Sequence, residues 1–261
     1  MVKLRIGALV TLLLFAVFYS RILGATDEKG SREIDTFTPS GQAGELDGWH
    51  SFDNDLDECY AIGEEENNFF LKARTKDRGS IIAKSCSYSL KEFPVITWRW
   101  RALLFPEGAD ERYKHSGDSV AGIYIIFPSI INPGKFKIKL GFKLPVPDRL
   151  KPECIKYVWS ASLPIGTVID SPYARKTKIV VLQNGTSPLN KWVTEEVNVY
   201  EDYRRFFNKE PEEVQAVGIL TDADDTSSEA MADYDDIFLK KFPSPQVESE
   251  TEETTVIART P

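Results

Sequence analysis

The stretch Phe136-Lys137-Ile138-Lys139-Leu140-Gly141-Phe142-Lys143-Leu144 alternates apolar residues with lysine or glycine from end to end. Successive side chains of a strand point to opposite faces, so the five apolar residues face an interior while Lys137, Lys139 and Lys143 face water. An antiparallel strand on a half-buried sheet follows from that pattern. Val120–Phe127 is apolar on both faces and suits a central strand. Asn68–Thr75, Ser80–Cys86, Val95–Leu104, Ile155–Ala161, Lys178–Gln183, Val193–Tyr200, Val214–Thr221 and Asp236–Phe242 carry strand composition between turn residues. Ten strands at this spacing predict an all-β fold, a two-sheet antiparallel β-sandwich. One short helix is the exception. Tyr200, Tyr203, Phe206 and Phe207 share a helical face, with Glu201 and Asp202 at the N-terminal end and Arg204 and Arg205 at the other, an order that complements the helix dipole. Asn208 reads as its stop.

The ends of the chain differ from this middle. Lys3 and Arg5, an apolar run from Ile6 to Tyr19, and small Gly24-Ala25 give residues 1–25 the pattern of a signal peptide. The run is shorter than the roughly 20 residues of a comfortable bilayer span. Leu23 departs from a small-residue cleavage site, however, which leaves an uncleaved inner-membrane anchor as the alternative. The expected location is therefore periplasmic or extracellular, with the membrane touched only through that segment. Residues 26–45 read as an N-terminal extension and 46–242 as the sandwich domain. Residues 243–261 read as a disordered acidic tail, because Glu248, Glu250, Glu252 and Glu253 have no apolar residues to fold around.

Several chemistries are excluded. The net charge of -8 becomes more negative once Lys3, Arg5 and Arg21 leave with an acid-free leader, and such a chain repels phosphate backbones, so nucleic acid is not an expected partner. Only His50 and His115 are present, which rules out a three-histidine zinc site. No G-x-S-x-G, G-x-G-x-x-G or Walker lysine motif occurs, and no catalytic residue is assigned. Cys59, Cys86 and Cys154 match no metal-ligand spacing; Cys59 and Cys86 pair if their strands are neighbours, or all three are buried thiols.

Three segments carry candidate chemistry. In Thr97-Trp98-Arg99-Trp100-Arg101, period two places both tryptophans on one face and both arginines on the other. Either the tryptophans fill the core, or Arg99 and Arg101 form a recognition surface for carboxylates, as on an acidic polysaccharide. Tyr157 and Trp159 share a strand face and serve either as core or as a platform for stacking sugar rings. Asp222, Asp224 and Asp225 follow an apolar strand and offer oxygens at the density a hard cation such as Ca²⁺ takes, although a solvated turn explains them equally well.

Taken in order, Trp98-Arg99-Trp100-Arg101, Tyr157-Val158-Trp159-Ser160, Trp192 with Val199-Tyr200-Glu201-Asp202-Tyr203-Arg204, Gly218-Ile219-Leu220-Thr221-Asp222-Ala223-Asp224-Asp225-Thr226 and Tyr234-Asp235-Asp236-Ile237 resemble a bacterial exported family, domain of unknown function 3047. The resemblance runs from about Trp49 to Phe242 and implies a jelly-roll, galactose-binding-like sandwich similar to carbohydrate-binding modules. In such modules an aspartate opening the last strand often helps hold a structural calcium, which adds Asp236 to the metal set. Asp235 and Asp225 depart from the glycine and asparagine expected there. The leading expectation is a noncatalytic module that binds a carbohydrate or envelope polymer through Arg99, Arg101, Tyr157 and Trp159. Its rival is a glycan-active hydrolase or lyase in which Asp222, Asp224 or Asp118 supplies acid/base chemistry while Arg99 and Arg101 clamp a substrate carboxylate. A structural periplasmic protein is the third reading.

Overall fold

A computed structural model describes residues 30–39, 46–51, 56–129, 151–185 and 189–241. The leader, the strand expected at Phe136–Leu144 and the acidic tail lie outside the described residues.

Among the described residues, thirteen strands form two sheets. The first has the order β11 (Val193–Asn198), β6 (Val95–Leu104), β13 (Glu229–Lys240), β4 (Asn68–Lys76), β3 (Tyr60–Glu65), with β1 (Ser31–Asp35) also on β13. The second runs β2 (Trp49–Ser51), β5 (Gly79–Tyr88), β12 (Val214–Asp222), β7 (Ala121–Ile126), β8 (Cys154–Ser160), β10 (Thr177–Asn184), β9 (Val168–Asp170). All pairs are antiparallel except β8 with β10. The chain changes sheets repeatedly, among other places from β4 to β5, from β5 to β6, from β6 to β7, from β10 to β11, from β11 to β12 and from β12 to β13, the wrapping pattern of a jelly-roll sandwich. A four-residue turn of helix, α1 (Leu56–Cys59), precedes β3. The expected helix is α2 (Val199–Phe207): Asn198 caps it by accepting from the Glu201 amide at 3.0 Å, and Asn208 ends it at a left-handed φ of 52°.

Between the sheets the side chains of β6 and β8 meet. Trp98 and Trp100 lie edge to face at 5.3 Å, Trp98 packs on Tyr157 at 5.8 Å, and Trp100 packs on Trp159 at 5.9 Å. All four are fully buried. Three of the four polar ends are met at the margins: Trp100 Nε1 donates to Glu195, Tyr157 to Asp202, and Trp159 Nε1 to the Gly185 carbonyl, while Trp98 Nε1 has no partner. Tyr234 crosses the interior from β13, donating its hydroxyl to the Leu220 carbonyl at 2.7 Å and accepting from the Gly122 amide at 3.2 Å. Tyr60 spans the same gap to the Ser80 carbonyl at 2.5 Å.

Two expectations change. The last strand begins at Glu229, seven residues before Asp236, because Asp233 and Asp235 are charge-paired within the sheet. The three cysteines are buried thiols, so Cys59 and Cys86 form no disulfide. Burial pushes the Cys86 thiol up to about 11 and Cys154 to about 12. Among the described residues, no helix is long and apolar enough to cross a membrane.

Candidate binding site

On the outer face of the first sheet, Arg99 and Arg101 point away from the tryptophans, as alternation requires. Both are already committed. Arg99 reaches Asp235 at 2.6 Å and Asp236 at 2.8 Å; Arg101 reaches Asp233 at 2.7 Å and Glu65 at 2.8 Å. Arg74 takes the other oxygen of Asp233 at 2.8 Å, and Asn68 donates to Asp235. Trp192 lies over both guanidinium groups, at 4.9 and 4.7 Å, and meets Phe70 edge-on at 5.6 Å. With the fully buried Asp233 and Asp235 below, the more exposed Asp236 and Glu65 at the edge and an indole above, this layer is an ion-pair network that already occupies both guanidinium groups. It corrects the expectation that Arg99 and Arg101 form an open carboxylate clamp.

Tyr157 and Trp159 are likewise corrected as a sugar platform: they fill the core, where a large ring contributes most by leaving water. Asp236 is removed from the metal set. It sits at a bulge of β13 with φ of 51°, on the sheet opposite to Asp222, and pairs with Arg99. The same separation rules out the hydrolase arrangement as expected, because a substrate held by Arg99 and Arg101 lies across the sandwich from Asp222 and Asp224.

The unusual chemistry is on the outer face of the second sheet, where Lys156, Gly122 and Asp222 stand on β8, β7 and β12. Lys156 is only 4% exposed. Its side chain lies across Gly122, where an added Cβ would meet Lys156 Cε at 3.2 Å, and its ammonium donates to Ser119 Oγ at 3.1 Å. Burial pushes the ammonium down, and the nearby Asp222, Glu111, Asp118 and Asp225 oppose that shift. Burial pushes the Asp222 carboxyl up to about 8; Lys156 works against the rise, while Asp224 and Asp118 add to it. One Asp222 oxygen, Oδ1, lies against Gly79 without a hydrogen-bond partner. Glu111 is wholly buried and also raised by its burial; Oε2 accepts from Ser160 at 2.7 Å, and Oε1 has no partner.

A rim surrounds this nest. Asp118, fully buried, accepts from the Asp225 amide at 3.2 Å and from the Thr226 amide and hydroxyl at 2.8 and 2.5 Å, which holds the turn after β12 in place. The Tyr173 hydroxyl lies within hydrogen-bond reach of two acceptors, the Asp225 carboxylate and the Lys114 carbonyl. Its ring end rests on Gly117, where a side chain would collide with it. Tyr113 belongs to the same loop and stacks on His115 at 5.6 Å. At 49% and 44% exposure, Tyr113 and Tyr173 are the most exposed tyrosine, tryptophan or phenylalanine side chains among the described residues.

Asp118, Asp224 and Asp225 bring carboxylate oxygens within 4.8 Å of one another. Calcium takes about six to eight oxygens. Here Asp118 spends three acceptor positions on the turn, Asp225 receives Tyr173, and Asp224 is tied to Asp222. The residues present therefore do not fit the expected calcium ion, and no role is derived through one.

Sequence reasoning reached Asp222, Asp224 and Asp225, and weighed Asp118. It missed Lys156, Glu111, Tyr113 and Tyr173. The available signal was Lys156 itself, a lysine in the middle of the otherwise apolar run Ile155–Trp159.

A family model described as "Protein of unknown function (DUF3047)" matches residues 47–238. Among solved structures, the chain is similar to the family 11 carbohydrate-binding module of cellulosomal cellulase Lic26A-Cel5E of Clostridium thermocellum, at 11% identity and a TM-score of 0.38, covering 81% of this chain and 95% of that one. It is similar to the mannan-recognising carbohydrate-binding module TmCBM27, at 11% identity and a TM-score of 0.38, covering 82% and 98%. It is also similar to TmCBM61, solved with β-1,4-galactotriose, at 8% identity and a TM-score of 0.34, covering 76% and 91%. No curated protein matches the chain.

Proposed function

The chain belongs to the DUF3047 family, and we propose that it works as a noncatalytic module that binds a carbohydrate or envelope polymer at the tyrosine-rimmed end of its second sheet. One observation carries this reading. The two solvent-open tyrosines lie on loops that meet at Gly117, next to the turn that carries Asp225 and beside the nest of Lys156, Asp222 and Glu111. Sugar rings present flat C–H faces that stack on aromatic rings, and their hydroxyls need both donors and acceptors. Tyr113 and Tyr173 supply the first, and Asp224 and Asp225 at the rim supply the acceptors. The leader pattern of residues 1–25 fits a site of action outside the cytoplasm.

Affinity electrophoresis through gels containing soluble polysaccharides tests the reading. Retardation of the wild type by at least one polymer, lost in Tyr173→Ala and weakened in Tyr113→Ala with folding intact, supports it. Equal retardation of the wild type and both variants overturns it.

A further inference from the structure

A pocket at the foot of the Tyr173 loop bears on the kind of polymer, an inference that rests on the binding reading above. It measures about 200 Å³ and opens where β7 ends, where β8 and β10 begin and just past the end of α2. The fully buried rings of Phe127 and Tyr203, 4.3 Å apart, back it. Lys151, Lys176 and Lys209 line it from three separate segments of the chain. Its two carboxylates do not balance them. Glu153 already accepts from the Tyr203 hydroxyl at 2.5 Å and from Lys209 at 3.0 Å, and Glu212 is exposed to water. Arg175, exposed beside Lys176, adds a fourth cation to the surroundings. In a chain with a net charge of -8, such a convergence of positive charge runs against the overall balance and attracts anions locally.

Tyr173 joins this pocket to the binding end and gives the site a direction. Its hydroxyl lies beside Asp225, whereas its backbone carbonyl accepts from Lys151 at 3.4 Å, and Lys176 follows on the same loop. One exposed ring is therefore flanked by an acid at its tip and by lysines at its root. A hexuronic acid has the matching polarity, with hydroxyls on one edge of the sugar ring and the carboxylate on the opposite edge. We propose that the polymer held here is built of uronic acids, with a ring stacked on Tyr173 and its carboxylate in the pocket of Lys151, Lys176 and Lys209. Ammonium groups are the donors a carboxylate needs, and bonds between the two are the stronger for both being charged. At about 30 Å³ for each water, the pocket has room for a carboxylate and a few waters, not for a chain of sugars. A neutral polymer would leave the lysines to water, and a polymer of amines would set like charges together.

Calorimetric titration at about pH 7, where carboxylates are ionised and lysines protonated, compares galacturonic acid oligomers with their methyl esters of equal length. The ester keeps the rings and hydroxyls and loses the charge. We expect the acid to bind about fivefold more tightly than the ester, the scale of one or two exposed ion pairs. Lys176→Gln and Lys209→Gln should each bring that ratio down to about two, and added salt should shrink it in the wild type. Lys76→Gln makes the same change of charge on the first sheet, where Lys76 pairs with Glu229, and should leave the ratio at its wild-type value. Equal or tighter binding of the ester overturns the charge inference while leaving the binding reading in place. A ratio unchanged by both pocket variants, or lowered as much by Lys76→Gln, also overturns it. Binding of neither oligomer overturns the uronic acid ligand, and the electrophoretic assay separately decides whether any polymer is held at all.

Discussion

Replacing Asp222 by asparagine should flatten the pH dependence of folding stability. In the unfolded chain an aspartate titrates near 3.9, whereas burial pushes Asp222 in the folded protein up to about 8. Between those values the folded state holds a proton that the unfolded chain has released. The stability contributed by Asp222 is therefore fully present below about pH 4, and is lost as the pH rises through about 8. Four pH units at about 1.4 kcal/mol each put the loss on the order of 5 kcal/mol. Asparagine has the same outline and stays neutral, so Asp222→Asn should match the wild type near pH 4 and exceed it above pH 8 by that order. Urea unfolding followed by tryptophan fluorescence from about pH 4 to 9 measures both curves. Parallel curves, within about 1 kcal/mol across the range, would refute the account of a carboxyl kept protonated beside Lys156.

Lys156→Met keeps the stem of the side chain but strands its acidic neighbours, so a loss of about 3 to 5 kcal/mol in urea unfolding at neutral pH is expected. Trp192→Ala removes the indole over Arg99 and Arg101 and should cost about 1 to 2 kcal/mol in the same assay without changing polymer retention, since that layer is across the sandwich from the binding end. Asn198→Ala deletes the cap of α2 and should cost about 1 kcal/mol. Calcium and a chelator should leave the melting temperature unchanged, because a cation bound only by the folded state would raise it.

The layered fold was legible because alternation is local. Trp98 and Trp100 against Arg99 and Arg101 announce two faces from five consecutive residues, and the structure keeps the division. Which face serves as core and which as surface was not legible from the strand alone. It depends on Asp233 and Asp235 arriving from a strand more than a hundred residues away, and on Trp192 closing over them. Asp222, Asp224 and Asp225 drew notice through their density. Lys156 did not, because a single lysine in an apolar run reads as a solvated interruption until the loop bearing Glu111 and Asp118 is folded over it. Tyr113 and Tyr173 stand in segments without strand or helix period, and nothing in their neighbours marks them as converging on Gly117.

Tyr234 has a mechanical consequence. A sandwich held only by greasy contact lets one layer slide over the other at little cost, since such contact has no preferred register. A phenol rooted in one layer and pinned to two backbone groups of the other fixes that register, and it does so directly beneath Gly122 and the strand that ends in Asp222. The outer face that carries the proposed site is thus held in shape in advance, so on the proposed reading most of the ordering on association falls on the flexible polymer.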